Sequence, residues 1–211
     1  MNYYGHKGLD KFLYEKYFLN KHDGIAMEAG ALDGLSLSTC KTLEEIGWKC
    51  INIEPNPNEF EKLVINRPLS LNLNVGLSHE NGISLFEVAK KVKNGHLTGP
   101  SGVLDYLRTP GRASNLRFGT VKFEVKIMTY KKIIEDYKIN KLDLLVLDVE
   151  GWEPQAIRGM ADCNVLPDIL CVESCPSILK VISYEQVIAD VFGGRYKKDS
   201  SCWLNDIYIR S

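Results

Sequence analysis

Asp148-Val149-Glu150-Gly151-Trp152-Glu153 puts three acids directly after the intensely apolar stretch 142–147. Carboxylates at the end of a buried strand are costly unless they have partners or a task. Asp148 is placed to accept a proton from a hydroxyl. Glu173, after the apolar run 169–172, could face it, and the two could hold a divalent cation through oxygen ligands. The competing reading gives Glu150 and Glu153 only the task of favouring the positive end of the next helix. At Glu150 and Glu173 both readings stand.

A second group lies near the N-terminus, in Glu28-Ala29-Gly30-Ala31-Leu32-Asp33-Gly34. Glycines after a first strand allow a ligand to approach the backbone, as nucleotide-binding folds require. The spacing is not Gly-x-Gly-x-x-Gly, so the dinucleotide fingerprint is not met. Charge narrows the choice further. Glu28 and Asp33 flank the turn and would repel a pyrophosphate, whereas S-adenosylmethionine has no phosphate and carries a sulfonium and an ammonium cation. Glu54 ends a second apolar run about 20 residues on, the separation at which an acid reaches ribose hydroxyls. Pro55 follows it. Asn74, closing a third run, is positioned to meet an adenine edge while Val75 packs on its face. The alternatives are a tight turn at Gly30–Gly34, a solvated or helix-capping acid at Glu54, and an ordinary Asn-x-Gly turn at Asn74.

These residues need elements that bring them together. Strands are expected at 25–27, 50–53, 69–75, 83–88, 121–128, 142–147 and 169–172. Helices are expected over 8–20, from Ser36 to Gly47, from Asn56 onward, at 129–137, 154–160 and 177–192, with Glu28–Gly34 as a loop. Asn56, Pro57 and Glu59 form a good helix start, with a cap, a first-turn proline and a capping-box acid. Segments 195–198 and 203–209 could pair as a closing hairpin. Alternating strands and helices predict an α/β domain with a doubly wound, mostly parallel seven-stranded sheet. Such sheets bind ligands beyond the carboxyl ends of their strands, where every residue singled out above lies.

The 211 residues suffice for one domain, with residues 1–24 as a helical arm and about 89–120 as an insert acting as a substrate lid. Net charge is −1, so no global field favours nucleic acid or an anionic membrane. No stretch reaches the roughly 20 apolar residues of a membrane helix, and the N-terminus lacks a signal-peptide core. The six cysteines show no zinc spacing and read as thiols of a reducing, cytoplasmic compartment. The four histidines are isolated, although His6 and His96 could close over a substrate. Lys90, Lys91, Lys93, Arg108, Arg112, Arg117 and Lys122 suggest a solvated face or a wall for an anionic substrate. Hydrolase and P-loop motifs are absent from the sequence.

With these residues in view, the chain resembles the FkbM family of methyltransferases. The resemblance runs through Tyr4-Gly5-His6-Lys7-Gly8-Leu9-Asp10, Glu28-x-Gly30-Ala31-x-Asp33-Gly34, Ile53-Glu54-Pro55-Asn56-Pro57, Asn74–Ser78 and, most specifically, 142–160. Val146 stands where the family often has lysine, two residues before the Asp. The resemblance implies methyl transfer from S-adenosylmethionine to a hydroxyl of a small molecule, sugar or glycan. Methylation of an RNA ribose or cap is a second reading, although Tyr106 and Phe118 are few aromatics for stacking bases. A cofactor-binding interaction module without activity is the third. Oligomeric state is not encoded in any pattern of the sequence.

Overall fold

The structure is a computed structural model and describes residues 1–89, 92–93, 96–97, 101–103, 120–174 and 183–211. Along the chain come a 3-10 turn at His6–Gly8, α1 (Leu9–Tyr17), β1 (Ile25–Ala29), α2 (Lys41–Glu45), β2 (Lys49–Ile53), α3 (Pro57–Asn66) and β3 (Leu71–Leu73). Six short or extended strands follow: β4 (Gly76–Ser78), β5 (Gly82–Ala89), β6 (Val92–Lys93), β7 (His96–Leu97), β8 (Ser101–Val103) and β9 (Thr120–Thr129). The chain continues with α4 (Tyr130–Asp136), β10 (Leu144–Leu147), α5 (Glu153–Arg158), β11 (Ile169–Glu173), α6 (Tyr184–Phe192), β12 (Tyr196–Cys202) and β13 (Asn205–Arg210).

Seven strands form the main sheet in the order β12-β13-β11-β10-β1-β2-β3. Neighbours from β3 through β11 pair in parallel, and β13 runs antiparallel to both β11 and β12. This is the expected doubly wound sheet with its closing hairpin. Strand alternation divides the core between its two faces. Leu145 and Leu147 join Met27, Ile53, Tyr130, Ile157 and Ile188 on one side. Leu144 and Val146 join Leu13, Leu43 and Trp48 on the other, so α1 and α2 cover one face and α4, α5 and α6 the opposite one.

Four local readings change. Glu28 belongs to β1 and not to the loop, because the ladder to β10 and β2 continues through Ala29. The helix expected over 36–47 is only Lys41–Glu45. Upstream, the Ser36 N–H donates to Asp33 Oδ1, and the Ser38 hydroxyl donates to Glu28 Oε2. Such bonds give the backbone an alternative to helix. The third strand shrinks to Leu71–Leu73. Strands 83–88 and 121–128 exist, as β5 and β9, but leave the main sheet for a second one ordered β4-β9-β5-β8.

Segment 177–182 of the last expected helix lies outside the described residues, as do Cys175 and most of the insert, including Lys90, Lys91, Arg108, Arg112 and Arg117. The described cysteines Cys40, Cys50, Cys163, Cys171 and Cys202 are free thiols. Among the described residues no helix is long and apolar enough to cross a membrane.

Candidate active site

The strand order reverses between β1 and β10, and the residues singled out in the sequence gather around the carboxyl ends of these two strands. Their backbones approach closely there. The Asp148 N–H donates to the Ala29 carbonyl at 3.1 Å. Gly30 has φ +90°, and a Cβ at that position would lie 1.9 Å from the Asp148 carbonyl oxygen. Glycine at 30 is therefore demanded by the neighbouring strand, a reason distinct from ligand access. The Gly30 and Ala31 N–H groups both donate to the Ile53 carbonyl, at 3.0 and 3.1 Å, which ties the loop to β2. Gly34, at φ +78°, lets the loop press onto Leu63 and Arg67, where a Cβ would clash.

The two acids of this first loop are engaged by the protein itself. Glu28 is only 4% exposed and accepts from the Ser38 hydroxyl and the Thr39 and Cys40 amides. Burial raises its pKa in spite of those bonds and of Arg67 nearby. Asp33 accepts from the Leu35 and Ser36 amides and the Ser36 hydroxyl. Burial works against its ionised form, and the three bonds outweigh it, so its pKa is lowered.

Glu54 stands at the end of β2, as expected, and is 1% exposed. Its Oε2 accepts from the Leu32 amide at 2.9 Å and its Oε1 from the Asn56 amide at 2.7 Å. The second bond takes the amide that a capping box would have given to Glu59, which pairs instead with Lys62. Asn56 caps α3 through the Asn58 amide. Burial pushes the Glu54 carboxyl up to about 7. Asn74 is exposed and fixes the loop by donating to the Glu54 and Pro55 carbonyls. Val75 is buried in the main core.

Asp148 is the open residue of the group. It is exposed at the end of β10, unlike the buried Glu28 and Glu54. Desolvation there, then the charges of Glu173, Glu150 and Glu28, hold its carboxyl well above the usual range. A hydrogen bond with Glu173 adds to the shift. Glu150 takes φ +60° at the turn after β10, and Gly151 takes φ +103°.

Sequence reasoning undervalued two neighbours of this turn. Glu153, read only as a helix-terminus charge, is fully buried. Its Oε1 accepts from the Val149 and Gly151 amides at 2.9 and 3.1 Å, and its Oε2 from the Tyr184 hydroxyl at 2.9 Å. Burial raises it to about 7. An acid immediately before Pro154, inside an otherwise apolar helix start, was the available signal. Trp152 donates its indole N–H to the Ser78 hydroxyl and packs on Phe86, Val125 and Ile127, joining the second sheet to the turn.

The donor chemistry fits a cation. Carboxylates clustered where one is driven toward protonation are relieved by a positive ligand, as a sulfonium and an ammonium would supply. A divalent ion finds less support, since among the described residues no three His, Cys, Asp or Glu side chains are arranged to hold a metal. The metal candidates Asp148 and Glu173 form a pair only.

A structure of the methyltransferase FkbM from Methylobacillus flagellatus KT superposes with a TM-score of 0.57 at 13% identity, covering 95% of this chain and 47% of that one. The chain thus spans about half the length of that protein, and the likeness shows the fold alone. The ribosomal protein L11 methylase of Lactobacillus delbrueckii subsp. bulgaricus (TM-score 0.47, 10% identity, 97% and 77% covered) is more distant. So is the Methanococcus jannaschii fibrillarin pre-rRNA processing protein (0.44, 12%, 90% and 67%). No curated protein matches the chain. A family model described as the methyltransferase FkbM domain matches residues 28–184, a span that begins at the end of β1 and holds β10, β11 and Glu28, Glu54, Asn74, Asp148, Glu150 and Glu173. The chain belongs to the FkbM methyltransferase family.

Proposed function

We propose that this chain is an S-adenosylmethionine-dependent O-methyltransferase acting on a hydroxyl of a small molecule, sugar or glycan. The family supplies the reaction class and the methyl donor. The observation that carries the site assignment is Asp148, exposed at the carboxyl end of β10 and crowded by other carboxylates. When bound, S-adenosylmethionine supplies an electrophilic methyl group on a sulfonium.

The chain's residues would do the rest. Glu54, Pro55 and Asn74 line the ribose and adenine side, while the 30–34 loop shapes the methionine side. Glu54 is enclosed by the Leu32 and Asn56 amides, so its ribose role requires the 30–34 loop to give slightly. Asp148 accepts or orients the acceptor hydroxyl proton. Glu173 and Glu150 tune that carboxyl through charge and hydrogen bonding. Glu153 holds the turn that carries Glu150. Positioning of donor and acceptor in line supplies much of the acceleration.

Calorimetric titration with S-adenosylmethionine and S-adenosylhomocysteine, on wild type and Glu54→Gln, tests the assignment. Micromolar binding weakened roughly tenfold by the substitution is expected, the loss of one charge-assisted bond. Wild type that binds neither compound would reject the proposal.

A further inference from the structure

The N-terminal turn and the tip of the C-terminal hairpin meet at the carboxyl edge of the main sheet, although both lie outside the span matched by the family model. On one flank Gly5 bridges to Leu37, in the segment that follows β1. On the other, Lys7 Nζ lies 5.1 Å from the centre of the Trp203 ring, and the His6 ring stands edge-on to it at 6.4 Å and 73°. Trp203 sits in the two-residue turn between β12 and β13. Asn205, at the start of β13, pairs with Glu173, and the Ser174 amide donates to the Leu204 carbonyl. Because β10 lies between β1 and β11, this strap spans the edge that bears Asp148.

Two features of the contact call for a reason. Trp203 is 63% exposed, a large apolar surface left in water. Trp203 and Lys7 also both hold left-handed backbones, with φ +55° each, where a side chain is disfavoured and glycine is the economical choice. A tryptophan kept exposed and strained at this edge of the sheet indicates a ligand contact more than a packing one.

We infer that Trp203, with Lys7 and His6, forms the acceptor subsite, stacking the C–H face of a pyranose ring while Lys7 and His6 meet its polar rim. This rests on the methyltransferase reading above. An exposed indole with an ammonium over its ring and an imidazole edge-on to it sets apolar surface beside polar groups, which matches a ring with apolar faces and hydroxyl or carboxylate edges. A wholly apolar acceptor would leave both polar neighbours unused.

Saturation-transfer NMR tests it, with methyl hexopyranosides, methyl hexuronides and 4-nitrophenol as probes and S-adenosylhomocysteine in the same tube. Wild type, Trp203→Phe, Trp203→Gly and Lys7→Gln are compared. Transfer to pyranoside ring protons is expected in wild type, largely kept in Trp203→Phe and reduced roughly tenfold in Trp203→Gly. Trp203→Gly should also melt higher, since glycine relieves the left-handed strain. Lys7→Gln should erase any preference for uronides. No pyranoside transfer in wild type, undiminished transfer in Trp203→Gly, or stronger transfer to 4-nitrophenol overturns the subsite. A Trp203→Gly variant that melts lower would make the contact a structural lock and overturn it too. The S-adenosylhomocysteine signals separate the two readings: their loss with pyranoside transfer intact rejects the methyltransferase assignment alone.

Discussion

Asp143 and Asp148 stand at opposite ends of β10 and meet opposite electrostatic worlds. Asp143 is buried, but Lys21 Nζ lies 2.6 Å from its Oδ1, Lys141 Nζ lies 3.0 Å away, and the Ile25 amide donates to its Oδ2. Burial would raise its pKa; the Lys21 bond, the Ile25 amide and Lys141 outweigh that and hold it below the usual range. Asp148, open to solvent, is surrounded by Glu173, Glu150 and Glu28 and is raised. At the amino end of the sheet a charge is satisfied and anchors structure. At the carboxyl end like charges crowd Asp148, a situation that a cationic ligand or a proton relieves. The positive-φ backbones follow the same division: Lys7, Leu32, Leu37, Glu150 and Trp203 surround the carboxyl edge, five of the eight non-glycine cases among the described residues.

The contrast is broken most severely at Asp148. Asp148→Asn should lower turnover by about 10²–10⁴-fold, the range for loss of a general base, with cofactor affinity changed far less. Its thermal midpoint should stay level or rise, because a repelled carboxylate has gone. A parallel fall in cofactor affinity would recast Asp148 as a binding residue.

Asp143→Asn should do the reverse. It removes the negative charge that two lysines share and turns one of two acceptor oxygens into a donor, and chemical denaturation should show a loss of about 2–3 kcal/mol. Turnover per folded molecule should hold.

The two ends also predict opposite pH slopes. Asp143 has a lowered folded pKa, so its contribution is present above the unfolded value of about 3.9 and lost as pH falls through the folded one. Asp148 has a raised folded pKa, so its contribution is present below about 3.9 and lost as pH rises through the folded one. Denaturation midpoints followed from pH 3 to 8 should therefore lose acid sensitivity in Asp143→Asn and lose a neutral-side decline in Asp148→Asn. Identical profiles in the two variants would dissolve the comparison.

The smallest effect is expected at Tyr184→Phe, which removes one bond to Glu153 at a distance from Asp148. A cost of about 1–2 kcal/mol and a few-fold lower kcat, with KM for the cofactor unchanged, would show the turn after β10 to be tuned through Glu153.

Much of this was legible in the sequence because it is local. The apolar run of β10, the Asn56 cap and the acids after each strand can be read within a few residues, and together they imply a parallel sheet with a site at its carboxyl edge. What escaped depends on residues far apart. The demand for glycine at 30 comes from a carbonyl of residue 148, and no pattern near Gly30 announces it. Glu28 was misplaced because its partners Ser38, Thr39 and Cys40 lie across a turn that replaces the expected helix. The second sheet depends on β5 finding β9 some 30 residues later, with Gly82 opposite Ile127 and Ala89 opposite Thr120. The proposed role of Glu54 toward the cofactor is decided by the titration above.

The strand that begins the second sheet and the strand that ends it are also neighbours: β4 pairs with β9, Gly76 against Ile127 and Ser78 against Thr129. The excursion thus departs from the main domain and returns to it at one seam. Because the seam is closed, lengthening or replacing the chain between its strands adds an entropy that grows only with the logarithm of its length. The main frame and its appended sheet are therefore separable, as a socket is from what is plugged into it. Segments can be exchanged there without renegotiating the register of the seven strands of the main sheet.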